Sequence, residues 1–216
     1  MENPYQSPST EPPPFSVGRI PGLKNPRVFA LASVCLYAIS TLGQVMEHLR
    51  RTFAAGVALT DLHLHDTYYV VYDGPGPFEW LMLGAMLPSA LFFLLWKHRA
   101  ASNAWIMNAS VMTITPAMSV GCYFIPFVNL VMPCQAMAGI ARASYGSTTG
   151  VAAWWATQII SMIAGLGIGI MSWAQGPAAP PSLAEHLYLG WALLTFVFAW
   201  RIVMKITRAQ SEKCGT

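Results

Sequence analysis

From Val28 to Met46 the chain runs without a charged residue, which is long enough to cross the roughly 30 Å hydrocarbon core of a bilayer as a helix. Comparable stretches recur at Trp80 to Trp96, Trp154 to Trp173 and Leu187 to Met204. Tryptophans bound the second and third, where their amphipathic rings suit the membrane–water interface. Arg201 lies near the end of the fourth, within reach of the headgroups. Of the 216 residues 55% are hydrophobic and only 10% charged, too few charges to cover a soluble fold of this length. Lipid is therefore the expected surrounding, and the net charge of +3 is too small to argue for a nucleic-acid partner.

Between the second and third runs, Thr115 to Ser144 is apolar but punctuated by Pro116, Pro126 and Pro133. A proline inside a helix removes a backbone donor and clashes with the preceding turn. Thr115 as cap with Pro116 at the first helical position predicts a helix start. Pro126 breaks that helix, Asn129 to Pro133 reads as a turn, and Pro133 starts a second helix running to about Ser144. Each half is too short to span. The expected fold is all-α: a polytopic membrane protein of four transmembrane helices plus a proline-broken re-entrant or interfacial helix pair. Asn129, the one amide side chain between the last two prolines, is expected to bond the backbone groups freed at the break.

Charge placement sets the expected orientation. With a cytoplasmic N-terminus and four crossings, Arg19, Lys24, Arg27, Lys97, Arg99, Arg142, Arg201, Lys205, Arg208 and Lys213 fall inside, and Arg50 and Arg51 outside. That agrees with the positive-inside rule, which a fifth crossing through the central unit would violate. Residues 1–26 are rich in Pro, Ser and Glu and read as a disordered cytoplasmic tail, not a secretory signal. Residues 27–208 form the membrane domain, with an outer loop at 47–79, and 209–216 read as a second cytoplasmic tail. Pro88, with Ser89 beside it, predicts a kink in the second span. In the third, Ser161, Gly165 and Gly169 recur at four-residue spacing, a small-residue face suited to close packing against another helix of the chain.

The central residues also carry a resemblance. Trp96, Arg99, Ala100 and Asn103 form W-x-x-R-A-x-x-N, followed by Thr115-Pro116, Gly121, Phe124-Ile125-Pro126, Asn129-Leu130, Pro133 and Arg142-Ala143-Ser144. The pattern, with the Trp154-Trp155 pair after it, resembles the bacterial membrane family known as domain of unknown function 4328. Cys134 stands where an aromatic residue is common in that family. The resemblance implies an integral membrane protein of unknown activity and names no reaction; the chain is read as an inner-membrane protein.

Chemistry-bearing residues concentrate in the outer loop. On a strand, His63 and His65 would share a face with Asp61, half of a transition-metal site, while the ordinary reading is a solvated polar loop. Leu64 to Val71, L-H-D-T-Y-Y-V-V, resembles a segment of the large subunit of haem-copper oxidases. There it continues into haem-binding histidines; here it continues Tyr72-Asp73-Gly74-Pro75, so haem binding is not carried over. No pair of Asp, Glu, Lys or His falls inside the apolar runs, which argues against an ion-coupled transporter. No hydrolase, zinc-protease or phosphate-loop motif occurs, and the four cysteines show no C-x-x-C spacing. The expectation is a non-enzymatic membrane scaffold or accessory subunit without a cofactor, working with the bilayer and a membrane protein partner. Two other readings stay open: a small-molecule or ion conduit through the broken helix, and a metal or ligand sensor using the outer loop.

Overall fold

The computed structural model describes residues 20–60, 76–175 and 181–214. Among the described residues six α-helices follow in order: α1 (Arg27–Thr60), α2 (Pro77–Met107), α3 (Pro116–Gly121), α4 (Met132–Tyr145), α5 (Val151–Gln175) and α6 (Leu183–Cys214). Four of them, α1, α2, α5 and α6, are long and apolar enough to cross a membrane. The short α3 and α4 are the two halves of the broken element, joined through 3-10 turns at Cys122–Phe124 and Val128–Leu130. The protein is thus an all-helical, multi-pass membrane protein with a proline-interrupted helix pair.

Local chemistry explains the helix starts. Glu79 accepts the Gly76 N–H at 3.0 Å, and Pro77 supplies a preset φ in the first turn of α2. The Thr115 hydroxyl accepts the Met118 N–H at 3.3 Å, capping α3 with Pro116 behind it. Pro133 lies in the first turn of α4, whose far end is closed by Gly146 at φ 77°. Pro88 is accommodated within α2, and the adjacent Ser89 hydroxyl donates to the Ser33 carbonyl of α1 at 3.0 Å.

Three boundaries differ from the sequence expectation. The segment from Glu47 to Thr60 is the continuation of α1 and not the start of a loop. Glu47 pairs with Arg50 one turn on, and Arg51 pairs with Glu185 of α6 at 3.2 Å, so polar residues here extend the helix beyond the apolar run. Residues 209–214 likewise belong to α6, where Gln210 is fully buried. At the other end, residues 20–26 are docked: Pro26 is fully buried, and Ile20 N–H donates to the Lys213 carbonyl at 3.3 Å. The remainder of the N-terminal tail lies outside the described residues, as do the loop residues Asp61, His63 and His65 and the segment 64–71.

The packed core sits at one end of the helix bundle. Trp96, Ala100, Ala101 and Ala104 of α2 meet Met137, Ile140 and Ala141 of α4 and Ile202, Val203 and Ile206 of α6, with Val151 and Trp154 of α5. From Pro77, the twenty residues of rise to Lys97 cover about 30 Å, so the last ten residues of α2 project beyond one hydrocarbon thickness. The same holds for α6 beyond Val203. This end is a small soluble-like domain built on the projecting helix ends and roofed by α4. Across the spans themselves many apolar side chains face outward, among them Leu87, Ile163, Leu166 and Leu187.

Candidate functional site

Beneath the proline-broken element lies Lys97, whose side chain has no exposed surface. Its Nζ donates to the Tyr123 hydroxyl at 2.9 Å and to the Pro133 carbonyl at 3.3 Å, and stands 4.4 Å from the Tyr123 ring centroid. Pro133 lies in the first turn of α4 and Tyr123 in the 3-10 turn after α3, so one side chain of α2 ties both halves of the break together. The sequence counted Lys97 only as one of the basic residues on the cytoplasmic side and gave no sign that its side chain is buried. The residues that bury it are 26 and 36 positions away in sequence.

Cys122 and Cys134 flank this lysine closely enough to feel its charge. Burial pushes both thiols up, against the opposing pull of Lys97. Burial also pushes the Tyr123 phenol above its ordinary range. These groups hold their protons at neutral pH, and a protonated thiol is a poor nucleophile. What the arrangement does is hold the broken element to α2.

Asn129 takes a smaller part than expected. Its Oδ1 is buried without a partner. The break is instead closed by backbone bonds, Val128 N–H to Pro126 O at 2.7 Å and Asn129 N–H to Ile125 O at 3.0 Å. Trp155 of α5 adds a bond from Nε1 to the Leu130 carbonyl at 2.7 Å. A buried unpaired oxygen costs about 1–3 kcal/mol, so its removal is not expected to destabilise the protein. Asn129→Leu should leave the thermal midpoint in detergent unchanged or raised. A midpoint lowered by several degrees would restore the clamping role to its side chain.

The W-x-x-R-A-x-x-N residues converge on the packed end. Trp96 Nε1 donates to the Thr207 hydroxyl of α6 at 2.9 Å. The Arg99 guanidinium lies 4.8 Å from the Phe29 ring centroid and reaches the Asn25 carbonyl at 3.5 Å. Asn103 donates to the Lys24 carbonyl at 2.7 Å and to Gln210 Oε1 at 3.0 Å, while its own Oδ1 accepts the Lys24 N–H at 3.0 Å. Gln210 in turn donates to the Ala100 carbonyl at 3.0 Å and the Ser144 hydroxyl at 2.9 Å. One amide pair thus binds the N-terminal segment, α2, α4 and α6. Gln210 was not singled out in the sequence, where it lies past the last apolar run and nothing local distinguishes it. Arg142 is exposed on α4, away from this network.

On α5, Ser161 shares a hydrogen bond with Thr195 of α6 at 3.0 Å. A Cβ at Gly165 would stand 2.7 Å from the Tyr188 hydroxyl, whereas one at Gly169 would meet nothing within 4 Å. The small-residue face is therefore filled by α6 at one end and open at the other. At the opposite end of the bundle from Lys97, the rings of His48 and His186 meet edge to face with centroids 4.4 Å apart. Among the described residues no three His, Cys, Asp or Glu side chains gather as a metal-binding group.

No curated protein and no solved structure matches the chain. Four side chains of the sequence motif, Trp96, Arg99, Asn103 and Ser144, knit the helix ends together. The family model described as Domain of unknown function (DUF4328) matches residues 76–211, more than half of the chain, and the protein belongs to that family.

Proposed function

We propose that this protein is a non-enzymatic scaffold or accessory subunit of the bacterial inner membrane, with its N- and C-termini both cytoplasmic. The observation that carries the reading is the use of the motif's polar groups: Trp96, Arg99, Asn103 and Ser144 bond other parts of the chain rather than converge on an open cleft. Such a network stabilises a shape. Apolar faces such as Leu166 and Ile170 of α5, beside the open Gly169, leave room for another membrane protein. The orientation rests on the basic side chains of the packed end, including Arg142, Arg201, Lys205 and Arg208.

Isolation from native membranes in a mild detergent, followed by mass spectrometry, tests the role. The expected result is a defined membrane protein recovered in fixed stoichiometry, with no turnover or flux by the isolated chain. Solute or ion flux through liposomes holding this chain alone would overturn it in favour of the conduit reading. The buried, doubly bonded state of Lys97 supports scaffold over conduit, because the polar group beneath the broken helix is closed off from solvent.

A further inference from the structure

We propose that the turn from Phe124 to Val131 is a lipid-inserted wedge, seated in the leaflet at the packed end of the bundle. Phe127 is 86% exposed and Phe124 73%, with Ile125, Leu130 and Val131 exposed around them. Between Phe124 and Val131 the only polar side chain is Asn129. An exposed cluster of five large apolar side chains on one turn is not a surface that water tolerates without cause.

The level of the turn points to lipid as its occupant. Residues on either side of it, Tyr123 and Pro133, are bonded by Lys97, about 30 Å of helix rise from the start of α2, and its Leu130 carbonyl is held by Trp155 at the start of the apolar run of α5. Those are the positions where a membrane interface falls if α2 and α5 span. From Trp155 the same helix carries its outward apolar side chains onward through Ile163 and Leu166, so spanning helices and turn expose one apolar surface to one solvent.

Four of the turn's backbone donors fit that placement. Hydrocarbon offers no partner to an unpaired amide. Val128, Asn129, Leu130 and Val131 all donate within the turn, to Pro126, Ile125, Phe127 and Val128 carbonyls, and Pro126 has no N–H to satisfy. Phe127 also adopts φ 62°, a region that favours glycine. Its ring gains little contact within the chain to offset that strain, and insertion into acyl chains would supply it. Strain at an exposed apolar residue is a mark of function rather than of packing. The wedge stands on geometry independent of the scaffold reading, so either can fail alone.

A single-cysteine protein, with Cys35, Cys122, Cys134 and Cys214 replaced, carries an environment-sensitive fluorophore through Phe127→Cys in phosphatidylcholine–phosphatidylglycerol nanodiscs. Ser110→Cys, on the exposed turn after α2, is the aqueous control. The expected result is strong quenching of the 127 probe by nitroxides on the lipid acyl chains and several-fold lower quenching by iodide than at 110. Iodide access equal to that at 110 would overturn the proposal in favour of a solvated turn. Protection from both quenchers would assign the turn to a protein partner, and self-quenching that rises with two chains per disc would assign it to a second copy. If Phe127→Cys does not fold, Phe124→Cys reads the same patch.

Discussion

Gly43→Ala will loosen the contact between the first two spanning helices and lower the unfolding midpoint in detergent. A Cβ at position 43 would stand 2.9 Å from the Phe78 carbonyl oxygen, 3.0 Å from the Met82 nitrogen and 3.3 Å from its Cα. All three are backbone atoms, so no side chain can rotate away and the helices themselves must part. The neighbouring contact tightens the constraint: the Ser40 hydroxyl of α1 donates to the Met82 carbonyl at 3.0 Å, and separation of the helices breaks it. In lipid, close packing and such interhelical bonds replace the hydrophobic drive that holds soluble helices together. Overpacking of this kind costs about 1–3 kcal/mol, and Gly43→Val should reach the top of that range. Gly84→Ala on α2, where a Cβ meets nothing within 4 Å, is the matched control. It should be neutral or slightly stabilising through helix propensity. Equal midpoints for the two alanine variants would refute the close approach.

What could be read from the sequence was what local chemistry decides. The Thr115 cap, the helix starts at Pro116 and Pro133 and the interruption at Pro126 follow from missing donors and fixed dihedrals within a few residues. Four spanning helices follow from runs of apolar composition. Their ends were not legible, because hydropathy marks where the solvent changes and not where the helix stops. The α1 helix continues past Met46 through Glu47, Arg50 and Arg51, which are paired there, and α6 continues to Cys214 because α4 and the N-terminal segment pack on it.

The site was legible in its residues and not in its roles. Asn129 looked like the clamp of the break because it is the only amide there, but an amide clamps only what lies within its reach. Several backbone groups at the break are met by backbone bonds and by Trp155 and Lys97 from other helices. Lys97 counts as a cytoplasmic charge by its neighbours in sequence, and only the folding of Tyr123 and Pro133 over it takes it out of water. The motif around Trp96 and Asn103 likewise gives no sign of its partners, which come from Lys24, Thr207 and Gln210.

The network around Asn103 yields the second large effect. Asn103 is almost fully buried and makes three hydrogen bonds, two to the Lys24 backbone and one to Gln210. Leucine at that position has similar bulk but can make none. Gln210 Oε1 would then be left without its partner in a fully buried site, at a cost of about 1–3 kcal/mol, with the Lys24 bonds lost in addition. Lys24 itself is exposed, so water would meet its backbone groups in part, and the segment would leave α2 rather than remain buried unpaired. Asn103→Leu should therefore lower the unfolding midpoint and, as a separate local signature, speed tryptic cleavage after Lys24 and amide exchange from Leu23 to Arg27. Because Asn103 and Gln210 share one bond, Gln210→Leu should cost less in the Asn103→Leu background than alone. Additive losses would show that the two amides act independently, and an unchanged cleavage rate after Lys24 would show that the N-terminal segment is held by Pro26 and Asn25 without them.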